Sequence, residues 1–325
     1  MSDMLDVVKT FVSPCEKLIT AVQSAIGKAY EPRYVKRMAD AKAYEIAAIG
    51  QAMRDNSDIA ISYDKGSLNC DTTDSDDFIK RTQKRLAFQE LTKQNNIESV
   101  ANQAYRMLEG CPNVENEPMD IDWLLRFFNS VQDVSNTEMQ RLWAKVLARE
   151  VLFPEAVSLR TLTILAQMSA TEAHTFETLA SYILHCKNTP QPLPDDYFFL
   201  TSEPIAEITN MSYAKVFLLD EIGLLSSNAY VSIYFDVPPH SSEYISYQEK
   251  RVIELKNNGE KTSRISSSAY ILTSAGRELL QVILSEIETP NNLSEYFNRC
   301  KEQLVQNDFT FERLPPEIDA VVLEY

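Results

Sequence analysis

At 325 residues the chain is long enough for about two domains, each burying a core of its own without staples. Its 44% hydrophobic and 24% charged residues describe a folded globular protein and exclude dominant disorder. A formal charge of −16 opposes nucleic acid at long range, so only a local patch would bind one.

Seven glycines are few for this length, and tight turns, phosphate-cradling loops and strand-rich folds consume glycine most. The expected fold is therefore mainly α. It would comprise long N-terminal helices or a helical hairpin (1–110), a compact helical core (111–190), a C-terminal α+β winged-helix-like domain (195–290), and a last helix and tail (291–325). No stretch reaches the roughly 18 to 20 apolar residues of a membrane span, and no basic start leads into an apolar run, so a cytoplasmic location is expected. Cys15, Cys70, Cys111, Cys186 and Cys300 are scattered and never form a C-x-x-C pair. Reduced structural thiols are expected, with neither a metal nor another cofactor.

Ser13-Pro14 opens the first helix as N-cap and first-turn proline, with Leu18, Val22, Ala25, Ile26 and Ala29 on one face. After Glu31-Pro32 an alanine-rich helix places Val35, Met38, Ala39, Ile46, Ile49 and Met53 at threes and fours. Together they read as a helical hairpin or coiled-coil-like arm. The pattern fails from Asn56 to Asp77, where the acidic "DTTDSDD" reads as an exposed loop; it lacks the central Gly and closing Glu of a calcium loop. Residues 76–109 carry the longest helical pattern, ended by Gly110 and Pro112.

Short, well-punctuated helices follow. Asp120 or Asp122 caps "WLLRFFNSV", Ser135 with Glu138 and Ser169 with Glu172 have capping-box spacing, and Ser158 starts "SLRTLTILAQM". In "EMQRLWAKVLAREVLF" the residues Met139, Leu142, Trp143, Val146, Leu147 and Val151 make an apolar stripe broad enough to need several neighbours. His185 and Cys186 fall at the end of this run and read as helical. Pro190, Pro192 and Pro194 then mark a domain boundary. Helices over Ile205 to Ile222, alternation in "YVSIYFDV" and "YISYQEKRVIEL", a polar loop at Asn257 to Gly259 and the strand-to-helix phrase "SAYILTSAGRELLQVILSEI" complete an elaborated winged helix.

A winged helix that reads DNA places a basic, polar helix in the major groove. Here "MSYAKVFLLDEI" offers Lys215 as its only cation, and residues 195–290 hold seven Lys and Arg against fourteen Asp and Glu. That balance favours a protein-contacting module over a DNA reader. In the DNA reading, Tyr213, Lys215 and the wing residues Lys250, Arg251 and Lys261 would make the contacts. Residues 1–110 are near balance, with fifteen cations and sixteen acids, but the cations cluster. Arg33, Lys36 and Arg37 share one helical face, and Lys80, Arg81, Lys84 and Arg85 share another. Such faces suit a phosphate backbone, an anionic headgroup or an acidic protein surface; a solvated helix face paired with nearby acids is the alternative. His174, His185 and His240 sit in no metal spacing, and no nucleophile elbow, P-loop or dinucleotide motif is present. Convergence of Glu138, Glu150 and Glu172 would be needed for a carboxylate site.

The phrases "EKLITAVQSAIGKAYEPRYVKRMADAKAYE", "LTKQNNIESVANQAYRMLEG" and "DIDWLLRFFNSVQDVSNTEMQRLWAKVLAREVLFPEAVSLRTLTIL" resemble a widespread bacterial family of unknown function. Its members join such a helical core to an "IGLLSS … YILTSAGREL" segment, and often carry a Gly near the positions of Glu150 and Glu155. A looser similarity connects it to the alpha-type abortive-infection proteins of bacteria. The resemblance implies no catalytic residues. It implies a non-enzymatic interaction or sensor protein in anti-phage defence, acting through a protein partner and self-association; the alternative expectation is a winged-helix DNA-binding regulator.

Overall fold

The structure, a computed structural model, describes residues 11–26, 61–64, 67–70, 77–186, 196–200, 202–226, 231–306 and 318–323. The chain divides into two compact units, Met1–Leu152 and Phe153–Tyr325.

In the first unit, helices α1 (Pro14–Ile26), α2 (Asp77–Leu108), α3 (Ile121–Val131) and α4 (Thr137–Leu152) pack together. Each turns an apolar stripe inward: Leu18 and Val22 from α1, Val100 and Ala104 from α2, Phe127 and Val131 from α3, and Trp143, Val146 and Leu147 from α4 are all fully buried. The Phe127 ring stacks on Trp123 at 5.1 Å and meets Trp143 edge-on at 5.3 Å. Such offset and edge pairs each add about 0.5–1.5 kcal/mol beyond the area they bury. Strand β1 (Phe11–Val12) pairs antiparallel with β4 (Val114–Glu115), while β2 (Ile61–Asp64) and β3 (Ser67–Cys70) pair antiparallel within the region where the helical pattern fails. The second N-terminal helix expected over Val35 to Met53 lies outside the described residues.

A buried polar ladder ties α2 to the turn before α4. Gln140 donates from Nε2 to the Val134 carbonyl at 2.8 Å and to Asn96 Oδ1 at 3.2 Å, and Asn96 Nδ2 donates to the Gln132 carbonyl at 2.9 Å. Ser99 Oγ donates to Gln140 Oε1 at 2.8 Å. Removing one member of such a set strands the others without water, at a cost of about 1–3 kcal/mol. The cap of α4 is Asn136, whose Oδ1 accepts from the Glu138 and Met139 amides at 3.0 Å each. Ser135, the residue with capping-box spacing, accepts from Asn96 instead.

The second unit is built on a seven-stranded antiparallel sheet. Its strands are β5 (Leu184–Cys186), β6 (Asp196–Leu200), β7 (Val231–Val237), β8 (Ser242–Tyr247), β9 (Lys250–Asn257), β10 (Ser263–Ile271) and β11 (Ile318–Val322), in the order β11-β9-β8-β5-β6-β10-β7. Helices α5 (Leu159–Gln167), α6 (Ala170–Ala180), α7 (Glu203–Thr209), α8 (Tyr213–Glu221), α9 (Ser274–Ile283) and α10 (Leu293–Gln306) complete it. Along α10 the residues Leu293, Tyr296, Phe297, Cys300 and Leu304 recur at threes and fours, and all are buried. This stripe packs on β9, β10 and β11, with Gln303 Nε2 donating to Ser267 Oγ and the Ser268 carbonyl of β10 at 3.1 and 3.0 Å.

The fold is therefore α+β, not mainly α, and the C-terminal part is a seven-stranded sheet in place of a winged helix with a strand pair. Two physical reasons explain the difference. Two turns of the sheet use no glycine: His240 and Gln248, at φ 51° each, take left-handed backbone positions between β7 and β8 and between β8 and β9. A low glycine count thus excluded nothing. Strands β5 and β6 span only three and five residues, too few for a strand period to stand out, so His185 and Cys186 read as helix end although they lie on β5.

The phrases "IGLLSS" and "YILTSAGREL" meet directly. Ser226 donates its amide to the Ile271 carbonyl at 2.9 Å, and Thr273, the cap of α9, donates its hydroxyl to the Gly223 carbonyl at 2.6 Å and its amide to the Leu224 carbonyl at 3.0 Å. Gly276 is required there, because a Cβ on it would stand 2.2 Å from the Leu224 carbonyl oxygen. Glu155, one of the two places where a Gly was anticipated, does adopt φ 63°; Glu150 is helical and buried within α4.

Candidate interaction surface

Helix α2 changes character along its length. From Ile97 onward it buries Val100, Ala101, Ala104 and Leu108, whereas none of its described side chains from 81 to 95 is buried. In that leading part Phe88 lies seven residues after Arg81, four after Lys84 and three after Arg85, so the four share one face. That face is roughly opposite the stripe of Ala104 at about 100° per residue. Arg81 and Arg85 are exposed, Lys84 half-buried, and Phe88 is 54% exposed. The result is an outward cationic face with an aromatic ring at its C-terminal end. Lys80 belongs to the same helix, while Arg33, Lys36 and Arg37 lie outside the described residues. Charge spacing made the cations legible; Phe88 was missed because a single ring carries no periodicity.

The second group of residues does not assemble into a basic surface. Tyr213 is 51% exposed on α8, but Lys215 turns its Nζ to the Asn210 carbonyl at 2.8 Å. Lys250 and Arg251 open β9, with the Arg251 guanidinium 4.2 Å over the Tyr244 ring. Lys261 lies past the far end of β9, and an eight-residue strand spans about 23 Å. What α8 offers is different: Tyr213 and Phe217, each 51% exposed, form an i, i+4 pair continued by the exposed Glu221. On the adjacent α7, Glu203 and Glu207 are exposed as well. Between 203 and 221 the chain holds four acids and one cation.

Buried titratable groups serve the cores. Lys17 donates to the Glu115 carbonyl at 3.3 Å; burial pushes its ammonium down from the usual lysine range, while Glu117, Glu150 and Glu115 pull it back up. Burial likewise pushes the Tyr296 phenol and the Cys300 thiol up, and Tyr296 donates to the Tyr182 carbonyl at 2.6 Å. His185 donates from Nε2 to the Gln248 carbonyl beside Tyr197 and Tyr247, at a cavity of about 20 Å³. That volume holds one water molecule and no organic substrate. Glu138 and Glu150 are twelve residues apart on α4, about 18 Å by helical rise, and Glu172 closes the capping box on Ser169. Among the described residues, no group of three His, Cys, Asp or Glu is placed to hold a metal ion. No helix among them is long and apolar enough to cross a membrane.

The chain is α+β, and its described surface offers charged helix faces with half-exposed aromatic rings. It is a member of the family described as "Protein of unknown function (DUF2806)", which it matches over residues 80–299. That span begins at the cationic turns of α2 and reaches into α10, so it takes in both faces described above. No curated protein and no solved structure matches the chain.

Proposed function

We propose that this protein acts through protein contact, not catalysis: a sensor or adaptor that self-associates and docks an anionic surface on the outward face of α2, in the service of anti-phage defence. The observation that carries the docking role is Phe88, more than half exposed among Arg81, Lys84 and Arg85. An exposed ring on a helix face adds nothing to the core, whereas aromatics and Arg are the residues enriched at the centres of interfaces. The defence role is supported by the resemblance of "EMQRLWAKVLAREV" and "SLRTLTIL" to sequences akin to abortive-infection proteins.

The test is the plating efficiency of a broad phage panel on cells expressing the protein, against an empty vector, with the double variant Lys84→Glu, Arg85→Glu beside the wild type. The expected result is a drop for some phages that the variant abolishes while its melting temperature stays within the range of surface substitutions, about 0.5 kcal/mol of stability. Unchanged plating by the wild type would overturn the defence role. Protection that survives the double reversal would overturn the docking role.

A further inference from the structure

We infer that the α2 face is met by a second copy of this chain, whose acidic, aromatic face on α7 and α8 is its complement. This rests on reading α2 as a docking face and names what docks there.

The two faces match in charge and in chemistry. Residues 80–88 hold four cations and no acid, while 203–221 hold four acids and one cation that is turned back onto its own backbone. Each face sets its charges around exposed rings: Phe88 on one, Tyr213 and Phe217 on the other, all three at least half exposed. Apposed aromatic and cationic groups with an acidic rim are the composition of a small specific interface. A membrane or nucleic acid would also accept the α2 face, but a second copy brings acids already placed beside exposed rings. The contact joins unlike surfaces, so it is heterologous. Association should therefore depend on concentration. The α2 face is one helix wide, so the contact buries less than a standard interface and is reversible.

Sedimentation velocity of the full-length protein over a concentration series tests this. At about 0.1 M salt, where charges are screened beyond about 10 Å, the wild type should associate, and raising salt to about 1 M should disperse it. Lys84→Glu, Arg85→Glu should weaken association by about tenfold or more, as should Glu207→Lys, Glu221→Lys. Mixing the two double variants should restore it, because each then supplies the charge that the other's faces lack. Recovery on mixing also shows that both variants are folded. A wild type that stays monomeric at low salt overturns the inference, as does a mixture that stays dispersed or a Lys84→Glu, Arg85→Glu variant that associates like the wild type. If self-association is absent yet the same variant abolishes phage protection, the α2 docking role stands with another partner; if neither changes, both readings fall.

Discussion

The two units bury their cores by different routes. In Met1–Leu152 four helices each contribute a stripe at threes and fours, and the aromatic cluster of Trp123, Phe127 and Trp143 closes the interior. In Phe153–Tyr325 a seven-stranded sheet packs its strands β9, β10 and β11 against α10, and close backbone contacts such as that at Gly276 set the geometry. The comparison teaches that side-chain volume limits the first unit and backbone approach limits the second.

Three substitutions break or sharpen that contrast, read with a probe that separates the units: both tryptophans of the chain, Trp123 and Trp143, lie in the first. The largest effect is expected from Phe127→Ala, which empties the centre of the first core and should cost about 3–5 kcal/mol. Tryptophan emission should shift to the red, and its thermal transition should fall well below that of the wild type. Next is Gly276→Ala. One methyl group costs almost nothing in most helices, but here it meets a carbonyl oxygen at 2.2 Å, so α9 must move and about 3 kcal/mol is lost. Near-ultraviolet circular dichroism from the tyrosines of the sheet should then lose its signal at a temperature where tryptophan emission is still native. A common fall of both signals would show that the units unfold as one. The smallest effect has the opposite sign. Glu155 is exposed at φ 63°, where a side chain is strained and glycine is not, so Glu155→Gly should raise stability by about 0.5 kcal/mol after the entropy that glycine gains in the unfolded chain. A loss measured by denaturant titration would mean that the Glu155 side chain contributes more than its backbone costs.

Legibility differed in the same way. Asp120, Ser158 and Ser169 cap helices as their spacing suggested, because a cap is a local hydrogen bond between residues two or three apart. The cations of α2 were equally readable. Asn136 displaced Ser135 as a cap because Ser135 is held by Asn96, thirty-nine residues away, which no local spacing reveals. The acidic, aromatic face of α8 was hidden for a related reason: Tyr213 and Lys215 were singled out as partners, but only the fold turns Lys215 back to Asn210 and leaves Phe217 outside.

By itself the sequence determined the described helices of the first unit, the caps at Asp120, Ser158 and Ser169, and the clustering of charge, since each of these depends on neighbours within about two helical turns. The tertiary structure alone decided that residues 184–186 and 196–200 are strands joining β8 to β10, that 318–322 closes the far edge of the sheet, and that turns at His240 and Gln248 need no glycine. Strand pairing is a contact between distant segments, and a strand of three to five residues has too few positions for its own pattern to announce it.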